Sequence, residues 1–300
     1  MIEQIDRLQK CRYSSNNQLS SIKETALSEP TNAGANKVVL ITGAGRGIGR
    51  QIAITLAEHG YQLGLVDKLS ADNLSTAEHI KRIGGEALTV TGDVANAKDV
   101  NRCCDAVEKY FGHIDILINN AGYSGQFGCF TESDPDDWWD VVTTNMRGPM
   151  LFSRRLVPSM LDRGYGYVVN INTRVAVRDD SVATYSAYGV SKAALARFTT
   201  ALAHETAGRG VIVLDINPGM VRTLMTEQRP DYHELPDKAF LAITVSAEKV
   251  ATLVSGRYDM LHGRFIHARD DLDEVAKHVA DDPRARRLVI GITGPNDPVA

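Results

Sequence analysis

The chain is short of cysteine and aromatics and has no long apolar run. Its four cysteines, Cys11, Cys103, Cys104 and Cys129, form no CxxC pair and no metal-ligand spacing. That excludes a disulfide framework or a cysteine-based metal site and points to reduced thiols. No stretch of about 18 apolar residues occurs, so no membrane span is expected. Basic residues show no excess: 33 Lys and Arg face 37 Asp and Glu, scattered along the chain. No nucleic-acid partner is expected from that balance. The opening MIEQIDRLQK carries acids where a secretory leader needs positive charge, and no apolar segment follows, so a cytoplasmic location is expected.

What is present is an ordinary globular composition, 43% hydrophobic and 23% charged over 300 residues, enough for one large α/β domain. Residues 1–36 are rich in Ser, Asn, Gln and Thr and read as a flexible N-terminal extension. From Lys37 the pattern changes. KVVLIT (37–42), LGLV (63–66), ALTV (87–90), ILIN (116–119), YVVNIN (167–172) and VIVLDIN (211–217) are buried-strand runs separated by helix-length segments. GRFIHA adds a short strand flanked by His262 and His267. Such alternation predicts a doubly wound α/β domain, with a parallel sheet of about seven strands and helices on both faces. We place this domain at 37–282. One last helix starts near Asp271, and 283–300 form a tail. Long helices are expected over 135–163 and 188–207.

Between the first strand and first helix lies TGAGRGIG (42–49). Glycines in such a turn let a pyrophosphate approach backbone N–H groups at a helix N-terminus. The spacing is TGxxxGxG, through Gly43, Gly47 and Gly49. Asp67 ends the second strand, where an acid accepts hydrogen bonds from ribose hydroxyls. Asp93, in TGDV, is placed to reach an adenine.

Tyr188 and Lys192 stand four apart in a helical stretch and share a face. A free tyrosine has a pKa of about 10. An ammonium about 4 Å away at an effective dielectric of about 20 contributes roughly 4 kcal/mol, or about three pK units. That would bring the phenol near neutrality, where acid/base transfer is efficient.

Taken together, TGAGRGIG, Asp67, GDV (92–94), NNAG (119–122), Asn145, YGVSK (188–192) and NPGMVRT (217–223) resemble the short-chain dehydrogenases/reductases, in their TGxxxGxG branch. The resemblance runs from about Lys37 to Gly219, and weakly on to about Glu274. It implies a Rossmann-type fold and hydride transfer between a nicotinamide cofactor and a carbonyl or alcohol. It implies cofactor contacts from Gly43, Arg46, Gly47, Ile48, Gly49, Asp67, Asp93, Val94, Asn120, Ala121, Gly122, Tyr188, Lys192, Pro218, Gly219, Val221 and Thr223. Catalysis is implied for Tyr188, Lys192, Asn145 and a hydroxyl beyond the fifth strand. The family has a serine there; this sequence has Thr173, fifteen residues before Tyr188, about two more than the family interval. Ser181, Thr184 and Ser186 are alternatives if the loop folds back. In the family the asparagine at Asn145 kinks its helix. A homodimer or homotetramer is implied by analogy.

Two residues disagree over the cofactor. Asp67 favours NAD(H), because a carboxylate repels a 2′-phosphate. Arg46, with help from Lys68, favours NADP(H), unless Arg46 simply pairs with Asp67. We expect NAD(H) and leave NADP(H) open. The expected substrate is a small or medium organic molecule. Met220, Leu224, Met225 and Phe240 in the segment after the sixth strand suggest one that is partly apolar. The competing readings are a reductase of carrier-bound 3-oxoacyl groups, docked by Arg147, Arg154 and Arg155, and a non-catalytic dinucleotide-binding protein. The second predicts damage to the Tyr/Lys/Asn set, which is intact.

Overall fold

The computed structural model describes residues 34–177, 184–233 and 235–287. Seven parallel strands form one sheet in the order β3-β2-β1-β4-β5-β6-β7: β1 (Val38–Thr42), β2 (Gln62–Asp67), β3 (Ala87–Thr91), β4 (Ile116–Asn119), β5 (Gly166–Ile171), β6 (Val211–Asn217) and β7 (Phe265–His267). The expected doubly wound α/β sheet is therefore present. The strands of the centre read as unbroken apolar runs because both faces are covered, and every residue of β1, β4 and β5 is buried.

The main helices are α1 (Gly47–Glu58), α2 (Ser70–Arg82), α3 (Ala97–Phe111), α4 (Pro135–Val142), α5 (Gly148–Arg163), α6 (Ser186–Thr206), α7 (Leu224–Glu227), α8 (Pro230–His233), α9 (Ile243–Leu253) and α10 (Leu272–Asp281). One core lies between the sheet and α1, α2, α9 and α10, around Ile52, Leu56, Ile80, Val250 and Val275. The other lies under α3, α5 and α6, around Val107, Phe152, Leu156 and Leu202. Each fully buried side chain of this kind contributes about 1.5–3 kcal/mol.

The ends of these helices follow from local sequence. Asn96 caps α3 by accepting the N–H groups of Lys98 and Asp99. Asp134 caps α4, with Pro135 in its first turn. Asp271 caps α10, accepting from Asp273 and Glu274. The long helix expected over 135–163 is instead two helices joined by a π-helical segment, Thr143–Arg147. The extra residue per turn rotates Asn145 inward, where it is fully buried.

Of the proposed N-terminal extension, only 34–36 are described, as a turn in which Lys37 N–H donates to Gly34 O. Of the proposed tail, 283–287 are described and dock on β7 through a bond from Phe265 N–H to Arg286 O at 2.9 Å. Among the described residues, no helix is long and apolar enough to cross a membrane.

Candidate active site

The chain runs outward from β1 to β3 and returns to place β4 on the other side of β1. The sheet thus reverses between β1 and β4, and a crevice opens at their carboxyl ends. The glycine turn lies there. Gly43 has φ +65° and Gly47 has φ +55°, backbone that side chains disfavour. A Cβ at Gly49 would collide with the Gly43 carbonyl and the Asn120 amide. The turn is braced from two sides. Asn120 Nδ2 donates to Thr42 O and Gly43 O, both at 3.0 Å, while Asn120 N–H and Ala121 N–H both donate to Thr42 Oγ1 at 3.1 Å. From the other side, Asp67 Oδ2 accepts Gly45 N–H at 2.8 Å and its Oδ1 accepts Leu69 N–H at 2.9 Å.

Helix α1 differs from the capped helices. Its N-cap residue, Arg46, makes no side-chain cap, and its first turn holds no acid. Its first N–H groups are left for an anion, as a pyrophosphate requires. A Cβ at Gly47 would stand 3.5 Å from Thr223 Cγ2, so the loop after β6 faces the turn across a narrow gap. The residues present thus fit a dinucleotide. Of the other expected contacts, Ile48 is half-buried, Val94 and Val221 are buried, and Gly122 faces the Asn145 amide. Pro218 O accepts a hydrogen bond from Ser246, and Gly219 N–H donates to Asn217 Oδ1. Thr223 opens α7 with a capping box to Thr226.

Three basic side chains bear on the alternatives left open by the sequence. Arg46 is exposed and makes no ion pair with Asp67, whose carboxylate is taken up by backbone N–H groups. Lys68 is engaged by Asp93 at 3.0 Å. Arg155, a candidate for carrier docking, is held by Asp105 at 2.7 Å and Glu108 at 2.6 Å.

Helix α6 carries Tyr188 and Lys192 on one face. Lys192 is buried, and its ammonium donates to Ile171 O at 2.8 Å. Asn145 is joined to the same helix turn: its Nδ2 donates to Ser191 Oγ at 3.0 Å, and that hydroxyl donates to Tyr188 O at 2.8 Å. The other side of the amide is fixed by the backbone of Tyr123, at 2.8 Å both ways. The structure therefore brings Tyr188, Lys192 and Asn145 together. Thr173 follows two residues after the carbonyl that holds Lys192; its hydroxyl accepts Val175 N–H only at 3.4 Å, so its proton stays available. Of the alternatives, Ser186 Oγ accepts the Trp138 indole N–H at 3.0 Å, Thr184 is exposed, and Ser181 lies outside the described residues.

The electrostatics correct the sequence arithmetic. Lys192 Nζ sits 5.9 Å from the centre of the Tyr188 ring and points at a carbonyl. Burial pushes the phenol well above its usual value, reinforced by Tyr185 and Tyr232, with only Arg229 opposing. Burial also pulls Lys192 down to about 8.

Several neighbours of Tyr188 escaped the sequence reading. Tyr185 packs against it at a tilt of 47°, with ring centres 4.9 Å apart. Arg229 lies over the rings of Tyr185 (4.4 Å), Tyr232 (4.3 Å) and Phe127 (5.2 Å). A narrow cavity beside Tyr188 is lined by Ser124, Trp138 and Tyr185. Tyr185 could have been found from its i,i+3 spacing to Tyr188. Arg229 lies in the segment singled out for substrate selection, but its place over three rings has no local signal. From the apolar set in that segment, Met225 reaches Gly122 and Phe240 packs under Arg222 at 4.0 Å.

Residues 37–233 match the short chain dehydrogenase family. The chain is 34% identical over 263 residues to short chain dehydrogenase tazN of Aspergillus terreus, covering 82% of this chain but only 54% of that protein. It is 33% identical over 240 residues to a 3-oxoacyl-acyl-carrier-protein reductase, FabG, of Staphylococcus epidermidis, covering 77% of this chain and 97% of that one. Among solved structures it is similar to an NAD+-bound xylitol dehydrogenase, with a TM-score of 0.73 and 28% identity over 78% of this chain and 98% of the other. A braced glycine turn at the switch point, a Tyr–Lys pair on one helix face and these matches agree: the chain belongs to the short-chain dehydrogenase family of oxidoreductases.

Proposed function

We propose that the protein transfers a hydride between NAD(H) and the carbonyl or secondary alcohol of a small or medium organic molecule, with Tyr188 as acid/base. The observation that supports this best is the linkage of Tyr188, Lys192 and Asn145 through Ser191, at the mouth of a crevice whose glycine turn is left uncapped. The cofactor supplies the hydride donor or acceptor when bound. The chain's own residues do the rest. The α1 N-terminus and the turn around Gly43, Gly47 and Gly49 hold the pyrophosphate, with Ile48, Asn120, Ala121, Gly122, Pro218, Gly219, Val221 and Thr223 around it. Asp67 takes the adenosine ribose hydroxyls, and Asp93 and Val94 flank the adenine. Lys192 takes the nicotinamide ribose. Thr173 donates a hydrogen bond to the substrate oxygen, and Tyr188 gives that oxygen a proton in reduction or removes one in oxidation. Desolvation raises the phenol's pKa and so favours its protonated form, the state reduction uses.

NAD(H) is preferred on Asp67. At about 5 Å and an effective dielectric of about 20, a 2′-phosphate would be repelled by roughly 3 kcal/mol per charge. Of the opposing cations, Lys68 is already paired with Asp93, and Arg46 is exposed to screening. We further infer a cytoplasmic homodimer or homotetramer. The test is absorbance at the reduced-nicotinamide band with a panel of ketones and secondary alcohols; no change with any of them, with either cofactor, refutes the reading.

One relative supports a second reading, a reductase of carrier-bound 3-oxoacyl groups. Against it, Arg155 is neutralised by Asp105 and Glu108. Turnover of a 3-oxoacyl thioester much faster on the carrier than free would favour it.

A further inference from the structure

A buried acid lies behind the lysine. Asp215, in the middle of β6, is 2% exposed. Its Oδ2 accepts Asn172 Nδ2–H at 3.1 Å and its Oδ1 accepts the Thr199 hydroxyl at 2.9 Å. The bonds behind these run one way. Asn119 Nδ2 donates to Asn170 Oδ1 at 2.9 Å, and Asn170 Nδ2 donates to Thr199 Oγ1 at 2.8 Å. The Asn119 carbonyl oxygen at the head of the chain has no partner. The three amides therefore donate toward Asp215, and the Thr199 hydroxyl lies within reach of both Asp215 Oδ1 and Leu195 O, at 2.9 and 3.1 Å, an arrangement that supplies donors to a carboxylate.

A buried carboxylate needs a counter-charge. On β5 it faces Asn170 and Asn172, both neutral. On α6 it faces Thr199 and Lys192. On β7 it meets only backbone, its N–H bonded to Arg264 O, while the Arg264 guanidinium is turned to His262 O and Pro283 O. Among the described residues, Lys192 is thus the one cation that acts on it. Asn172 brings the two residues close, since its Nδ2 also donates to the backbone carbonyl of Lys192 at 3.2 Å, while the Lys192 ammonium itself donates to Ile171 O.

We propose that Asp215 is a positioning residue: held by Asn172 and Thr199, its carboxylate is the buried counter-ion that keeps Lys192 charged, and through Lys192 it sets the pH range of dinucleotide binding. The binding part rests on the function proposed above; the charge coupling does not. The titration behaviour agrees in sign. Burial lowers Lys192 while Asp215 raises it, and burial raises Asp215 while Lys192 lowers it.

The test uses the full chain without cofactor. Lysine labelled with carbon-13 at Cε is incorporated, the Lys192 signal is assigned by its loss in Lys192→Met, and its titration is followed by NMR in wild type and Asp215→Asn. Asn can keep both bonds, because Thr199 Oγ1 can turn its proton to Leu195 O, 3.1 Å away. We expect the Lys192 midpoint to fall by about one pH unit or more in Asp215→Asn, and the wild-type signal to show a second inflection where Asp215 ionises. A midpoint unmoved by the substitution overturns the proposal. Should that variant not fold, a single inflection in the wild type overturns it. Dinucleotide affinity, measured as fluorescence quenching by NADH between pH 6 and pH 9, should then fall off at lower pH in Asp215→Asn than in wild type. Lys192→Met should be weak throughout and insensitive to the second substitution. Wild type that binds no NADH at any pH would refute the proposed function while leaving the NMR result to decide the coupling.

Discussion

Asp67 Oδ2 accepts the Gly45 N–H at 2.8 Å, so the acid that ends β2 is part of the turn that follows β1. On the proposed function, discrimination between cofactors and the shape of the glycine turn would therefore rest on one side chain. Asp67→Ala should move the kcat/KM ratio toward NADP(H) and also weaken both cofactors, because the turn loses a charge-assisted bond worth about 1.5–3 kcal/mol. Asp67→Asn, which keeps an acceptor for Gly45, should move the ratio with less loss. Steady-state kinetics with both cofactors check this; a wild type that prefers NADP(H) contradicts it.

Tyr188→Phe should abolish turnover and leave cofactor affinity within a few-fold, since in the proposed function the phenol moves the proton, and the ring packing against Tyr185 survives. Lys192→Ala should damage affinity and rate together. Turnover numbers and NADH titration of the purified variants separate the two outcomes. A Phe variant with normal turnover removes Tyr188 from the proposed chemistry.

Thr173→Ser should keep or raise activity, and Thr173→Val should lose most of it. Valine keeps the shape and removes the donor; losing one such donor costs about 2.7–4 kcal/mol in transition-state stabilisation. Equal kcat/KM in the valine variant would pass the role to Ser181, Thr184 or Ser186.

His262 tests the fold rather than the site. Its Nδ1 accepts Val213 N–H at 3.1 Å and its Nε2 donates to Ala203 O at 2.8 Å. Burial lowers its pKa, so the folded protein keeps it neutral while the unfolded chain takes a proton at about pH 6.5. The stability it contributes is complete above that pH and is lost as pH falls below it. His262→Ala should cost about 1–3 kcal/mol at pH 8, by orphaning a buried donor, and less at pH 5.5. Thermal unfolding at the two pH values measures the difference; an equal cost at both refutes the argument.

Elements set by short-range pattern were legible in the sequence. The seven strands, the glycine turn and the helix bearing Tyr188 and Lys192 follow from periodicity and from residues a few positions apart. What escaped depends on contacts between distant segments. Lys68 is held by Asp93 from the next strand end, and Arg229 reaches rings supplied by three segments. The resemblance implied a kink at Asn145, but its π-helical form has the composition of an ordinary helix, and the bonds of Asn145 to Tyr123 and Ser191 come from distant segments. The acid inside VIVLDIN was visible as a letter, but its counter-ion was not.

The two braces of the glycine turn also become available at different times as the chain is made. Gly45 and Asp67 are 22 residues apart, whereas Asn120 and Thr42 are 78 apart. During synthesis at about 5–20 residues per second, a nascent chain ending before β4 can already pair β1 with β2 and β2 with β3 and close the Asp67 brace. It lacks the amide that holds the Thr42 and Gly43 carbonyls, and one whole side of β1 is an open edge. A ribosome pausing before Ile116 would therefore expose an unpaired apolar strand together with a half-built cradle, and arrival of the NNAG segment would complete both at once.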